Sequence, residues 1–177
     1  GGSLHDVVSN MHRWGRDDRW NLKFGSREYV HWAIGQMIAV ARGLDYAHRH
    51  GVVHRDIKPM NLLLSRELQT VKISDFGLAV DLDEARLTSV GKVMGTPSYM
   101  APEQILGNRD QIDARTDIYA LGVTLFELLT LKLPYAGKTQ QLYLHEVLTS
   151  EARRPSKLNA QVGRDLEIVI RKALEKD

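Results

Sequence analysis

The sequence predicts a mainly α-helical domain with a small patch of β-structure in the middle of the chain. Two long segments, residues 26–50 and 116–131, repeat apolar side chains at the spacing of an α-helix. Between them lie three short β-like runs, 52–53, 62–64 and 71–73. Residues typical of turns separate these runs from one another. With 177 residues, of which 43% are hydrophobic, the chain is long enough to bury one core.

The N-terminal part predicts two helices with a loop between them. The first helix covers residues 4–13, with an apolar face of Leu4, Val7, Val8 and Met11. Residues 13–25 mix glycines, charges and two tryptophans without a regular period, which predicts a loop. The apolar face of the helix at 26–50 consists of Val30, Ile34, Met37, Ile38, Ala41, Leu44 and Ala47. Gly51 follows as a typical helix end.

The helix predicted over about 116–131 is apolar nearly all round, so we expect it inside the core. It is too short to span a bilayer, and Glu127 interrupts its apolar sequence. Two more helices are predicted, at about 139–150 and 163–175. No internal repeat or linker divides the sequence, which indicates one domain over 1–177.

Charge and cysteine content exclude several classes of function. Lys and Arg number 24 against 22 Asp and Glu, so the net charge of +2 favours neither nucleic acid nor an anionic membrane as partner. The basic side chains and tryptophans of residues 13–25 could contact nucleic acid, with the tryptophans stacking on its bases. Asp17 and Asp18 interrupt these residues, which favours a solvated loop. Without cysteine there is no disulfide framework and no thiolate metal site. With no membrane segment and no signal pattern, we expect a cytoplasmic protein.

Two motifs beside the β patch carry chemistry. HRDIKPMN occupies residues 54–61, and DFG occupies 75–77, directly after the third β run. Asn61 and Asp75 offer the hard oxygen donors that Mg²⁺ prefers. Lys58 can meet a phosphate as a compact cation, which leaves Asp56 to hold a hydroxyl group.

These motifs resemble the catalytic loop and the metal-binding loop of the eukaryotic-type, or Hanks-type, protein kinases. GTPSYMAPE at 95–103 is similar to the end of the kinase activation segment, and TDIYALG at 116–122 to the start of the buried central helix of the C-terminal lobe. Asp-Phe-Gly alone is a weak signal, but four motifs in this order are specific. Lys58 and Thr96 match the serine/threonine branch, and the sequence around Ala101-Pro102-Glu103 resembles that of the bacterial serine/threonine kinases.

The resemblance implies a role for each matched residue. Asp56, Lys58 and Asn61 would form the catalytic set, with Asp56 orienting the substrate hydroxyl and Lys58 contacting the γ-phosphate. Lys58, Asn61, Leu63 and Asp75 would bind Mg·ATP, with Mg²⁺ on Asn61 and Asp75 and the adenine ring over Leu63. His54 and Phe76 would stack in an apolar spine, and Asp117 would anchor the backbone of the catalytic loop.

Regulation by phosphorylation is also implied. Arg55 precedes Asp56, and a phosphate in the activation segment, 75–103, would give this arginine a doubly charged partner. Thr88 and Ser89 lie in the middle of that segment and are the candidate sites, although both could be plain loop hydroxyls.

The family's glycine-rich phosphate loop has no match, because G-x-G-x-x-G does not occur in the sequence. We expect this loop, the strand lysine and the helix glutamate to precede Gly1 in a longer kinase. The chain would then be the C-terminal lobe only, without the β-rich N-terminal lobe, and inactive alone. Its partners would be ATP and a protein substrate with Ser or Thr, and the parent protein could form a dimer.

Three other interpretations stay open. A pseudokinase would use the same fold as a scaffold, although the four residues named for chemistry and metal binding are all intact. A small-molecule phosphotransferase shares the Asp…Asn loop and the metal Asp, but the APE and GTP motifs favour a protein substrate. His48, His50 and His54 lie close enough in sequence to suggest a zinc site.

Overall fold

Six α-helices and five short strands make up the part of the chain that the computed structural model describes, residues 2–65, 70–76 and 97–176. The helices are α1 Leu4–Trp14, α2 Arg27–Arg49, α3 Pro102–Ile105, α4 Ala114–Thr130, α5 Gln140–Thr149 and α6 Arg164–Ala173. The strands are β1 Gly2–Ser3, β2 Arg16–Asp17, β3 Leu22–Lys23, β4 Leu62–Ser65 and β5 Thr70–Ile73. Short 3-10 turns occupy Pro59–Asn61, Pro97–Tyr99, Arg109–Gln111 and Pro155–Lys157.

Helix α4 lies at the centre of the core and packs against both α2 and α6. Twelve of its 17 residues are buried, in agreement with the prediction of a buried helix over about 116–131. One side is nevertheless open, since Ile118 is 40% exposed. The hydroxyl of Tyr29 on α2 donates a buried hydrogen bond of 2.7 Å to the carbonyl oxygen of Leu128, so a polar contact also joins the two helices.

The two N-terminal helices match their predicted spans closely. On α1 the buried face is the predicted one, and Ser3 caps the helix in a reciprocal pair with Asp6. Helix α2 begins after its cap Ser26, but its predicted face is partly wrong. Ile38 is 48% exposed, because the buried stripe of α2 runs through Met37 and positions three or four residues away from it.

The predicted β patch is a three-stranded antiparallel sheet in the order β1-β4-β5. Leu62 and Leu64 of β4 point into the core, while Leu63 between them is 44% exposed. The β run predicted at 52–53 is wrong. Those residues follow the end of α2, and the amide of Val52 donates back to the carbonyl of Ala47 at 3.0 Å, so a helix-terminating turn holds them.

Residues 13–25 contain more structure than the predicted loop, since β2 and β3 pair there as a two-residue antiparallel hairpin. Asp17 is buried at its centre and binds the side chains of Asn10 and Arg19. Within residues 2–65, 70–76 and 97–176, none of the helices has the length and hydrophobicity of a transmembrane span.

Candidate active site

A buried carboxylate fixes the loop that carries HRDIKPMN. Asp117, in the first turn of α4, accepts hydrogen bonds from the backbone amides of His54 at 2.8 Å and Arg55 at 2.7 Å. The Nε2 atom of His48, near the end of α2, lies 2.8 Å from the same carboxylate. Since Asp117 is fully buried, these partners are what stabilise its charge. Two core helices thereby position the loop.

Asp56, Lys58 and Asn61 form one hydrogen-bonded group in this loop. The Oδ2 atom of Asp56 accepts from Lys58 Nζ at 2.7 Å and from Asn61 Nδ2 at 3.1 Å. Asn61 Nδ2 also donates to the backbone carbonyl of Asp56 at 2.8 Å. Asn61 is buried, and the side chains of Asp56 and Lys58 are 29% and 16% exposed. The group is therefore held firmly while its two charged ends still reach solvent.

Ser74 joins this group to Asp75. Its amide and its hydroxyl both donate to the carbonyl oxygen of Asn61, at 2.9 and 3.1 Å. Its hydroxyl also lies 2.9 Å from the Oδ2 atom of Asp75. The two residues that sequence reasoning selected as oxygen donors, Asn61 and Asp75, are thus linked through one intervening residue.

His54 holds the β5 end of the site. Its Nε2 atom lies 2.8 Å from the carbonyl of Ser74, and its Nδ1 accepts from the amide of Asp56 at 3.2 Å. Its ring meets that of Phe76 edge-on, with centroids 4.7 Å apart. The contact expected between His54 and Phe76 is therefore present.

Two residues of the site have left-handed backbone conformations that favour glycine, Arg55 with φ of 67° and Asp75 with φ of 64°. Non-glycine residues adopt this conformation when surrounding contacts hold them there. Asp117 holds the amide of Arg55, and Gln104 Nε2 donates to the Arg55 carbonyl at 2.8 Å.

The segment after residue 96 packs closely against α4 and α5. Tyr99 donates from its hydroxyl to Glu127 of α4 at 2.5 Å, and Tyr143 of α5 donates to the carbonyl of Ser98 at 2.9 Å. Burial raises the pKa of Glu127 and of both tyrosines. The APE glutamate, Glu103, accepts from the hydroxyl of Thr116 at 2.5 Å.

Several predicted residues stand apart from this geometry. Gly77, Thr88, Ser89 and Thr96 lie outside the described residues.

The zinc interpretation of the three histidines is wrong, because each ring has a different partner. The ring of His48 contacts the carboxylate of Asp117, that of His50 lies 2.7 Å from the carbonyl of Tyr46, and that of His54 contacts the carbonyl of Ser74. Among the described residues, no group of three His, Cys, Asp or Glu side chains could hold a metal ion.

Sequence reasoning missed three contributors to the site: His48, Ser74 and the Tyr99–Glu127 pair. Nothing in the spacing of His48 shows that it reaches Asp117, 69 positions along the chain. Glu127 did carry a signal, because an acid in the middle of a largely apolar core helix requires a buried partner.

The sequence of this chain matches one family of known proteins. The profile of the protein kinase domain matches residues 21–177. A probable serine/threonine-protein kinase of Streptomyces coelicolor is 38% identical over 142 residues, which cover 79% of this chain and 21% of that protein. One of Clostridium perfringens is 37% identical, over 82% of this chain and 21% of that protein. The serine/threonine-protein kinase PknB of Mycolicibacterium smegmatis is 35% identical, over 82% and 23%. The chain therefore spans about a fifth of the length of the curated relatives that it matches.

Proposed function

Because the chain belongs to the protein kinase family, in its bacterial Hanks-type serine/threonine branch, we propose that its parent protein phosphorylates serine or threonine hydroxyls of a protein substrate with Mg·ATP. The observation that carries this proposal is the hydrogen-bonded group of Asp56, Lys58 and Asn61. It combines a carboxylate for the substrate hydroxyl with a cation for the transferring phosphate.

Asp56 would receive the hydroxyl of the substrate. Lys58 and Asn61 both bind its Oδ2 atom, so we assign the orienting hydrogen bond with the substrate to Oδ1. As the substrate oxygen bonds to the γ-phosphorus, the bond from phosphorus to the leaving ADP oxygen breaks, and Asp56 accepts the hydroxyl proton. Because the transition state of phosphoryl transfer is loose, orientation contributes at least as much as proton removal.

Lys58 would balance the charge of the transferring phosphoryl group. Its ammonium already lies 2.7 Å from Asp56, so one cation can contact both the carboxylate and the γ-phosphate. Electrostatic stabilisation of this kind needs donors that are in place before the reaction. The burial of most of the Lys58 side chain supports such preorganisation.

The donor set of Asn61 and Asp75 fits Mg²⁺, which prefers oxygen ligands and bridges ATP phosphates. Asn61 uses its amide nitrogen to bind Asp56 twice, which leaves its amide oxygen as the ligand atom. Asp75 is exposed, and Ser74 links it to the backbone carbonyl of Asn61. Bound Mg²⁺ would neutralise charge on the phosphates. The exposed side chain of Leu63 would pack against the adenine ring of ATP.

We further propose that the chain forms the C-terminal lobe of the kinase domain and that phosphorylation of the activation segment, 75–103, regulates it. The helix-rich architecture supports the first point. The absence of G-x-G-x-x-G from the sequence supports the inference that this chain alone does not turn over ATP efficiently.

The proposal of regulation by phosphorylation is supported by the position of Arg55, whose backbone is hydrogen-bonded to Asp117 and Gln104. Thr88 and Ser89 remain the candidate sites.

Transfer of radiolabel from ATP by the parent protein tests the proposal. We expect Asp56→Asn to lower kcat by about 10²- to 10⁴-fold, because it removes the proton acceptor. Asp45→Asn is the matched control, since Asp45 is exposed and pairs with Arg49 on the surface of α2. Wild-type incorporation no higher than that of Asp56→Asn would indicate a pseudokinase. Labelling of a small molecule instead of protein would indicate the other class of phosphotransferase.

A further inference from the structure

A groove of about 830 Å³ lies on the side of the molecule formed by α6 and the segment at 154–156. Its lining residues are Arg154, Ser156, Arg164, Glu167, Ile168, Arg171, Lys172 and Glu175. None of them belongs to the candidate active site, which is built from the loop at 54–61, the end of β5 and the first turn of α4.

The groove carries an excess of positive charge. Four of the lining residues are cations and two are acids, so the groove has a net charge of +2, equal to that of the whole chain. The acids already have partners. The amide and the hydroxyl of Ser156 donate to Glu167, and Lys172 lies 2.5 Å from Glu175.

The arginines are less engaged than the acids. Arg171 reaches the exposed Glu151 only at 3.7 Å, and such a surface pair contributes little. Within residues 2–65, 70–76 and 97–176, no ion pair engages Arg154 or Arg164. Guanidinium groups bind carboxylates through two parallel hydrogen bonds, so these arginines can receive acidic side chains.

An apolar element accompanies this charge. Ile168 lines the groove and is 56% exposed, and its neighbour Val169 is 59% exposed. On the opposite side of the same helix, Ile170 is buried in the core, as is Leu174 just after the helix ends. Ile168 thus offers the groove an apolar contact inside a charged rim, an arrangement that protein interfaces use.

We propose that this groove binds an acidic segment of a partner protein, in which carboxylates flank an aliphatic side chain. The carboxylates contact Arg154, Arg164 and Arg171, and the aliphatic side chain packs on Ile168. A small anion would leave most of the groove and its apolar wall unused. A nucleic acid backbone presents evenly spaced phosphates and no aliphatic side chain to pack on Ile168. The inference is independent of phosphoryl transfer, because it uses none of the residues assigned to that reaction.

The probe is a fluorescein-labelled peptide with the sequence Glu-Glu-Leu-Glu-Glu, titrated with the chain and followed by fluorescence anisotropy at low salt. We expect Arg154→Ala/Arg164→Ala to weaken binding by about tenfold. Ile168→Ala should weaken it by about threefold, since it removes apolar contact area. Added salt should weaken wild-type binding, because the contacts are exposed and ionic.

Arg16→Ala/Lys23→Ala is the matched control. These two exposed cations face each other across the β2–β3 hairpin, so the pair removes the same charge elsewhere, and we expect less than a twofold change. Circular dichroism of each variant shows whether the fold is retained. The proposal is overturned if the control weakens binding as much as the groove variant. The proposal is also overturned if the peptide Lys-Lys-Leu-Lys-Lys binds as tightly as the acidic peptide. It is overturned as well if inorganic phosphate displaces the acidic peptide as effectively as an unlabelled copy of that peptide does.

Discussion

At the scale of single residues, buried carboxylates organise loops that lie far apart in the sequence. Asp117 holds the backbone of the loop at 54–61 from the start of α4, more than 60 positions away. The sequence motif around Asp117 predicted this contact through the family resemblance. It did not predict His48 on the same carboxylate, because no local pattern reports which buried group a helix end will meet.

Asp17 organises the β2–β3 hairpin in the same way, and it gives a stability prediction. It is 1% exposed and binds Arg19 through both carboxylate oxygens, as well as Asn10. We expect Asp17→Ala to lower the free energy of unfolding by about 2–3 kcal/mol at pH 7, because two polar side chains lose their partner. Asp18→Ala, which removes an exposed acid in a surface pair with Arg16, should cost less than about 0.5 kcal/mol.

The pH dependence supplies a second check on Asp17. Burial alone raises the pKa of this carboxyl, but hydrogen bonds from Arg19 and Asn10 outweigh it, so its pKa lies below the ordinary value of 3.8. A lowered folded-state pKa means that the contribution is present above pH 3.8 and is lost as pH falls further. In urea denaturation, the difference in the free energy of unfolding between wild type and Asp17→Ala should therefore be smaller at pH 3 than at pH 7. An unchanged difference, or an equal loss in Asp18→Ala, would contradict the assignment.

At the scale of secondary-structure elements, the long helices and the strands β4 and β5 were predictable, and the two-residue strands were not. Helices α1, α2 and α4 bury one stripe or nearly all of their side chains, and that periodicity is visible in sequence. Strands of two residues, such as β1 and β2, are too short to show any alternation. The error at Val52 has the same origin, since two β-branched residues also fit a helix-terminating turn.

Close packing of α4 on α6 gives a prediction for glycine substitution. A Cβ atom on Gly122 would lie 2.9 Å from the Cβ of Ala173 and 3.3 Å from Leu174, whereas a Cβ on Gly35 of α2 would meet nothing within 4 Å. We expect Gly122→Ala to destabilise by about 1–2 kcal/mol, because overpacking outweighs the gain in helix propensity. Gly35→Ala should stabilise by about 0.5–1 kcal/mol.

Thermal unfolding of the two glycine variants measures this contrast directly. Combining Gly122→Ala with Ala173→Gly moves the methyl group from one helix to the other and should recover part of the loss. The packing account fails if Gly122→Ala is as stable as Gly35→Ala, or if the second substitution brings no recovery.

At the scale of the whole molecule, the site was more predictable than the packing around it. Phosphoryl transfer requires particular residue types at fixed spacing, so Asp56, Lys58, Asn61 and Asp75 could be named from motifs. The structure brings the first three into one hydrogen-bonded group and links Asp75 to them through Ser74. Ser74 and the Tyr99–Glu127 pair could not be named, because many residue types can fill such supporting positions.

We propose that this site belongs to a kinase that phosphorylates serine and threonine. The most direct test incubates the parent protein with Mg·ATP and three peptides that differ only in a central Ser, Thr or Tyr, and counts phosphate by mass spectrometry. We expect phosphate on the Ser and Thr peptides in Mg²⁺, its loss when EDTA removes the metal, and at least about 100-fold less on the Tyr peptide. Equal phosphorylation of the Tyr peptide, or Ser and Thr phosphorylation that persists in EDTA, would contradict the claim.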